Sequence, residues 1–297
     1  MTKRINKVIL PVAGLGTRNL PATKAIPKEM LPIVDKPIIQ YGVEEAINAG
    51  IREIIFIVSP TKTSIKEHFS RSNELEKILE DKNKIKELLA IKLVLPENIT
   101  CSYVVQNQAL GLGHAIFCAK EAIGDEPFAV ILPDDLIKNT DNGCLKQMVE
   151  IYNKVQASII AVENVQRENT GRYGIVSIKQ ESENPYKIVD IVEKPKPEDA
   201  PTTLGVVGRY ILEPEIFEML EKTEKGYGGE IQLTDAIKML LEIEDVYAYE
   251  FEGERFDCGS KFGFLEANIQ YAMDHDELSE QFSAYLNSLV SNRNTSD

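Results

Sequence analysis

The run Val8-Ile9-Leu10-Pro11-Val12 carries no charge and stops at Ala13-Gly14-Leu15-Gly16-Thr17-Arg18. A short apolar run bounded by a turn reads as a buried strand. Gly14 and Gly16 let the backbone turn tightly and approach a ligand that a Cβ would hold away. Arg18, Lys24 and Lys28 follow, with no carboxylate until Glu29. A guanidinium offers a planar fork to phosphate oxygens, and lysines offer point charges. The start of the chain therefore has the makings of a polyphosphate loop.

Two common phosphate motifs are absent. A P-loop requires Gly-x-x-x-x-Gly-Lys-Ser/Thr, and a dinucleotide fingerprint requires a third glycine where Asn19 stands. Pro21, Pro27 and Pro32 prevent one continuous helix, so the cations sit on a long stiffened loop. An ordinary strand-to-helix turn with surface lysines is an equal alternative on Gly14-Leu15-Gly16 alone.

The rest of the chain alternates. The spacing predicts a helix over 37–49, a strand over 53–58 and charged helix over 64–90. A strand at 102–105 runs into Gln106 and a helix reaching Ile123. A strand at 128–132 ends in Pro133-Asp134-Asp135, and a helix over 144–155 and a strand over 157–162 follow. Such alternation implies a mostly parallel sheet covered on both faces, with its ligand crevice beyond the carboxyl ends of the strands. The Gly14 loop, Gln106 and Asp134 all lie at strand ends. From about residue 163 the texture shifts to strands at 175–178, 187–192 and 206–212, which suggest a second sheet or lobe. Helices at 214–222 and 231–242, a strand at 246–251, a final helix over about 261–290 and a polar tail from Ser291 complete the pattern.

Composition narrows the function. A formal net charge of −14 argues against a general nucleic-acid or anionic-membrane binder. The four cysteines form no C-x-x-C pair, and three histidines are too few for a histidine-rich metal site. No apolar stretch is long enough to span a bilayer, and the basic start does not continue as a signal peptide, so a cytoplasmic protein is expected.

Several residues invite chemistry, each with a plainer alternative. Asp134 and Asp257 could supply two hard oxygen ligands for Mg²⁺ alongside substrate phosphates. A strand-end aspartate more often caps a helix. Glu193 and Lys194 could take sugar hydroxyls and a phosphate, or form a surface ion pair. The Gln106 amide matches the donor and acceptor edge of a pyrimidine such as uracil. His114 shows no evident carboxylate or cysteine partner and reads as a structural or helix N-terminal residue.

The runs Gly14-Leu15-Gly16-Thr17-Arg18, Leu20-Pro21-Ala22-Thr23-Lys24 and Pro27-Lys28-Glu29-Met30-Leu31-Pro32 resemble the signature of sugar-phosphate nucleotidylyltransferases. With Gly111-Leu112-Gly113-His114-Ala115 and Gly229-Glu230-Ile231-Gln232-Leu233-Thr234-Asp235, the resemblance is to the bacterial UTP–glucose-1-phosphate uridylyltransferases, from residue 8 to about 270. It implies a Rossmann-like, mostly parallel mixed sheet flanked by helices, with a smaller β-rich sugar-binding lobe. The domain would span 1–290: a nucleotide-binding half to about 162, a sugar-binding half over about 163–260 and a C-terminal helix over about 261–290. The residues 291–297 would be a tail.

The resemblance also implies roles. Ala13 and Gly14 would meet uracil through the backbone, with Gln106 and Gly111 completing base recognition, and Gly16 and Thr17 would belong to the same nucleotide loop. Arg18 and Lys28 would hold the triphosphate and act in catalysis. Asp134 and Asp257 would bind Mg²⁺. Glu193 would accept from glucose hydroxyls, Lys194 would pair with the sugar phosphate, and Gly174 would approach the sugar. Val105 stands where the family often has a basic residue. UTP and glucose 1-phosphate would be substrates, UDP-glucose and pyrophosphate products, and the protein a homodimer or homotetramer. A silent nucleotide-sugar sensor, a nicotinamide oxidoreductase and a thymidylyl- or adenylyltransferase are the competing readings.

Overall fold

The computed structural model describes residues 3–138, 142–179 and 183–294. The run that opens the chain forms β1 (Lys7–Pro11), and its residues Val8 to Leu10 have no exposed surface. Side chains alternate across a strand. Ile9 joins Ile55, Ile57 and Val130 on one face, while Val8 and Leu10 join Ile54, Phe56 and Ile131 on the other. Helices Leu112–Phe117, Ile216–Lys222 and Leu233–Leu240 cover the first face. Helices Ile38–Asn48 and Cys144–Val155 cover the second. Burial on both faces explains why the run is apolar throughout.

The other sheet strands are β2 (Glu53–Val58), β3 (Thr100–Val105), β4 (Phe128–Ile131), β5 (Ser158–Asn164), β6 (Gly174–Ile178), β7 (Tyr186–Glu193), β8 (Leu204–Leu212) and β9 (Val246–Glu250). They form one nine-stranded sheet in the order β3-β2-β1-β4-β8-β5-β9-β7-β6. β1 to β4 are mutually parallel, β9 runs parallel to β5, and β8 is antiparallel to both β4 and β5. The strands that suggested a second sheet or lobe extend this same sheet: β7 pairs antiparallel with β9 and β6.

Elsewhere the helices are shorter than the spacing predicts. The 64–90 stretch is three helices, Thr63–His68, Asn73–Asp81 and Ile85–Lys92. Ser70, Ser72 and Asn73 offer the backbone local hydrogen bonds that compete with a helix, and Asn83 turns left-handed at φ 54°. The last helix divides into Lys261–Met273 and Ser279–Asn294, separated by residues 274–278, and the second piece runs on past Ser291 into the expected tail. The cationic loop forms three single-turn 3₁₀ segments, Thr17–Asn19, Ala22–Lys24 and Lys28–Met30, interrupted by Pro21 and Pro27.

Candidate functional site

Strand ends from both halves of the sheet open into one cleft of about 750 Å³. Arg18, Asp134, Gly174, Glu193, Lys194 and Asp257 all line it. Lys28 joins through Asp134, to which its Nζ donates at 2.6 Å. Gly16 takes a left-handed φ of 65°, and a Cβ there would lie 3.1 Å from the Cβ of Lys28. The glycine therefore lets the loop lie against the lysine stem. Lys24, by contrast, is exposed and lies outside the cleft lining.

Asp134 follows β4 and caps no helix. The chain turns there and continues as a strand, Asp135–Lys138. That strand pairs antiparallel with Glu254–Asp257, with Asp257 opposite Asp135. The two acidic residues of interest thus sit at one end of one ribbon. Asp134 Oδ2 and Asp257 Oδ1 each lie 3.0 Å from the point where a Cβ on Gly259 would be. The absence of that carbon leaves a cradle between the carboxylates. Asp257 also accepts from Gly259 N at 3.1 Å and from Arg172 Nη2 at 2.7 Å.

The opposite wall carries Glu193 and Lys194. Lys194 Nζ is 2.7 Å from Glu193 Oε1, and Thr234 Oγ1 donates to Glu193 Oε2 at 2.8 Å. Lys194 has φ 45°, unusual for a residue with a Cβ. A Cβ on Gly174 would strike Thr234 Cγ2 at 2.6 Å. Glycine is needed there for β6 to pass the helix Leu233–Leu240.

Gln106 follows β3, its N–H donating to Val58 O at 2.9 Å. Its Nε2 lies 2.8 Å from His114 Nδ1 and 3.4 Å from Gly111 O. Ile231 N donates to Leu110 O at 2.8 Å, and Gly113 N donates to Ile231 O at 3.0 Å. These bonds lock the Gly111 turn to the Gly229–Asp235 segment, joining two motifs far apart in sequence. A Cβ on Gly111, whose φ is 97°, would sit 2.7 Å from Glu230 Cβ.

Beneath the first loop lies a buried pair. Lys62 Nζ donates to Val12 O and Gly14 O, each at 2.6 Å, and to Glu29 Oε2 at 2.8 Å. All three ammonium hydrogens are used. The Val12 and Gly14 carbonyls point to Lys62, so the N–H groups of Ala13 and Leu15, opposite in each trans peptide, point away. Glu29 has a side chain 1% exposed, and its Oε1 has no partner.

The charges tune one another. Burial works against the Asp134 carboxylate, but Lys28 and Arg18 outweigh it and hold its pKa below the usual range. Burial likewise opposes the Lys28 ammonium, yet Asp134 and Glu29 raise its pKa. Burial raises the Glu29 pKa against the pull of Lys62 and Lys28. Cys258, beside Asp257, is pushed up to about 12 by burial and neighbouring carboxylates, so its thiol stays protonated.

Sequence reasoning overlooked several residues at this site. Arg172 and Tyr173 immediately precede Gly174, and Arg255 lies two residues before Asp257. Arg255 Nε bonds Asp135, while its Nη1 reaches Glu163 at 3.1 Å and Tyr173 Oη at 3.3 Å. Asp135 Oδ2 accepts from Gly208 N at 2.6 Å. Buried Arg209 donates to Glu45 at 2.7 Å and to the Asp135 carbonyl at 2.9 Å. Adjacency to Gly174 and Asp257 was the only signal for Arg172, Tyr173 and Arg255, and Arg209 carried none. Among the described residues, no group of three or more His, Cys, Asp or Glu side chains could hold a metal. No helix there is long and apolar enough to cross a membrane.

The model of the nucleotidyl transferase family matches residues 7–274. A UTP–glucose-1-phosphate uridylyltransferase of Bacillus subtilis is 48% identical over 289 residues, 97% of this chain and 98% of that protein. One from Haemophilus ducreyi is 46% identical over 291 residues, 96% of this chain and 99% of that protein. A solved UTP-bound UGPase from Acinetobacter baumannii superposes with a TM-score of 0.89 at 45% identity, covering 96% of this chain and 99% of that one. A UDP-glucose pyrophosphorylase complexed with UDP-glucose gives a TM-score of 0.84 at 46% identity, covering 91% and 100%.

Proposed function

The chain belongs to the nucleotidyl transferase family, and from that premise we propose that it transfers UMP from UTP to α-D-glucose 1-phosphate, forming UDP-glucose and pyrophosphate. The observation that carries this reading is the convergence of Arg18, Asp134, Glu193, Lys194 and Asp257 on one cleft.

The attacking oxygen belongs to a phosphate already anionic at neutral pH. The reaction therefore needs no general base and no protein nucleophile. The difficulty is to bring two anions into line and to stabilise the charge that moves onto the leaving pyrophosphate. Arg18 and Lys28 hold the triphosphate, and Lys194 holds the sugar phosphate. Glu193, oriented by Thr234, accepts from glucose hydroxyls. Gly174 lets the sugar approach the backbone. Ala13, Gly14, Gln106 and Gly111 read the base, and Gly16 and Thr17 shape the loop around the phosphates.

The paired carboxylates suit a divalent cation. Asp134 and Asp257 face the same carbon-free cradle at Gly259, and hard oxygen donors with room for waters and phosphates are the donor set Mg²⁺ prefers. Asp134 and Asp257 would hold it. Mg²⁺, when bound, supplies charge that offsets the α-phosphate and the pyrophosphate.

We place the enzyme in the cytoplasm, and take it to act as a homodimer or homotetramer. Phe262 (69% exposed) and Leu265 (56% exposed) on Lys261–Met273 are apolar candidates for the contact. Light scattering that finds a monomer removes the oligomer. The function itself is tested by pyrophosphate release from a matrix of nucleoside triphosphates and hexose 1-phosphates. The highest kcat/KM is expected for UTP with glucose 1-phosphate. Binding without pyrophosphate release would mean a sensor, and preference for dTTP or ATP would mean a different transferase.

A further inference from the structure

We propose that His114 is a positioning residue for base choice: its Nδ1 accepts from the Gln106 amide nitrogen and leaves Gln106 facing the base with its carbonyl oxygen alone. The proposal rests on the reading above that Gln106 reads the base.

A glutamine amide can present either an acceptor or a donor, depending on which way it is turned. Here the surroundings decide. The Gly111 carbonyl can only accept, so the atom 3.4 Å from it is the amide nitrogen. His114 Nδ1, 2.8 Å from that same nitrogen, must then be the acceptor. A neutral imidazole that accepts at Nδ1 carries its proton on Nε2. That proton has an outlet, because His114 Nε2 lies 3.9 Å from Cys118 Sγ one helical turn on. Both amide hydrogens of Gln106 are thus committed. Among the described residues no protein group bonds Gln106 Oε1.

An acceptor fixed in this way discriminates between pyrimidines. Uracil and thymine carry a hydrogen on N3 and can donate to it. Cytosine presents a lone pair at N3, so two acceptors would face each other. Without His114 only the long 3.4 Å contact to Gly111 O still holds the amide, and an amide that turns over serves either base. His114 thereby converts an ambivalent reader into a one-way one, although it never touches the nucleotide.

The test compares kcat/KM for UTP and CTP, each with glucose 1-phosphate. His114→Leu removes the acceptor and should shrink the UTP:CTP ratio by roughly tenfold. His114→Asn, which can return an acceptor oxygen near the Nδ1 position, should restore much of the ratio. A merely structural histidine predicts equal loss for both nucleotides, and that result overturns the proposal. If His114→Leu does not fold, His114→Phe keeps a ring without an acceptor and serves in its place. Nitrogen-15 NMR of the unmodified enzyme gives an independent reading, expected to show the Nε2–H tautomer. Finding hydrogen on Nδ1 refutes the idea. Gln106→Ala separates the two layers. If it leaves the ratio intact, base reading by Gln106 is wrong and the proposal falls with it. If it collapses the ratio while His114→Leu does not, only the role of His114 is lost.

Discussion

Lys62→Met is the most demanding test of the buried framework under the nucleotide loop. It strands the Glu29 carboxylate, whose side chain is 1% exposed and whose other oxygen already lacks a partner. Removing one member of a buried ion pair costs about 3–5 kcal/mol. The stranded acid can limit this loss by folding protonated. From an unfolded pKa of about 4.3, protonation at pH 7 costs about 3.7 kcal/mol, at about 1.4 kcal/mol per pH unit. The expected deficit at pH 7 is therefore about 2–4 kcal/mol, since the native enzyme already bears part of this cost. Its sign with pH follows from the raised Glu29 pKa. A carboxyl raised on folding stabilises fully below its unfolded pKa, and that contribution is lost as pH climbs through the folded pKa. Without Lys62 the folded pKa rises further and the loss runs on to higher pH. The gap between variant and native protein should widen toward pH 8 and narrow toward pH 5. The chain has no tryptophan, so urea unfolding is followed by far-UV circular dichroism. Adding Glu29→Gln should recover stability relative to Lys62→Met alone. A deficit under about 1 kcal/mol at pH 7, or one that ignores pH, would refute the buried-pair account.

Other expectations bear on the chemistry. Arg18→Ala should lower kcat on the order of 100-fold while the glucose 1-phosphate KM changes little; steady-state kinetics with unchanged turnover would remove Arg18 from catalysis. Asp134→Asn should keep the circular dichroism spectrum and lose activity on the order of 100-fold or more at saturating Mg²⁺; normal turnover would leave Asp134 a structural residue. Gly174→Ala places a carbon 2.6 Å from Thr234 Cγ2. It should raise the glucose 1-phosphate KM with little effect on the UTP KM and lower stability by about 1–3 kcal/mol; equal effects on both KM values would separate Gly174 from the sugar.

Much of this was written along the chain. The uncharged run at Val8 to Val12 and the glycines after it marked the central strand and its loop, because full burial and tight turning each demand particular residue types. In the sequence Asp134 reads as a helix cap more readily than as a ligand, and the strand Asp135–Lys138 that follows it removes the cap. The placement of β6, β7 and β8 in the one sheet was not legible, since pairing between distant strands leaves no local trace. Lys62 and Arg209 were invisible for the same reason. Their partners are backbone carbonyls and remote carboxylates, and nothing in a neighbouring residue type announces such bonds.

The ribbon that joins Asp135–Lys138 to Glu254–Asp257 sets the gap between the two acidic groups by rungs, not by loop length. Rungs come in whole steps, and a slip of one would turn Asp257 to the far side of its strand. The gap between the two carboxylates is therefore quantised, and a cation of slightly different size, held there as proposed, would be met by rotamers and waters. The chain between Lys138 and Glu254, which carries Gly174, Glu193 and Lys194, leaves and returns at matched rungs. On the proposed reading of Gly174, Glu193 and Lys194, that span is free to diversify around the sugar while the spacing of the two aspartates stays as it is.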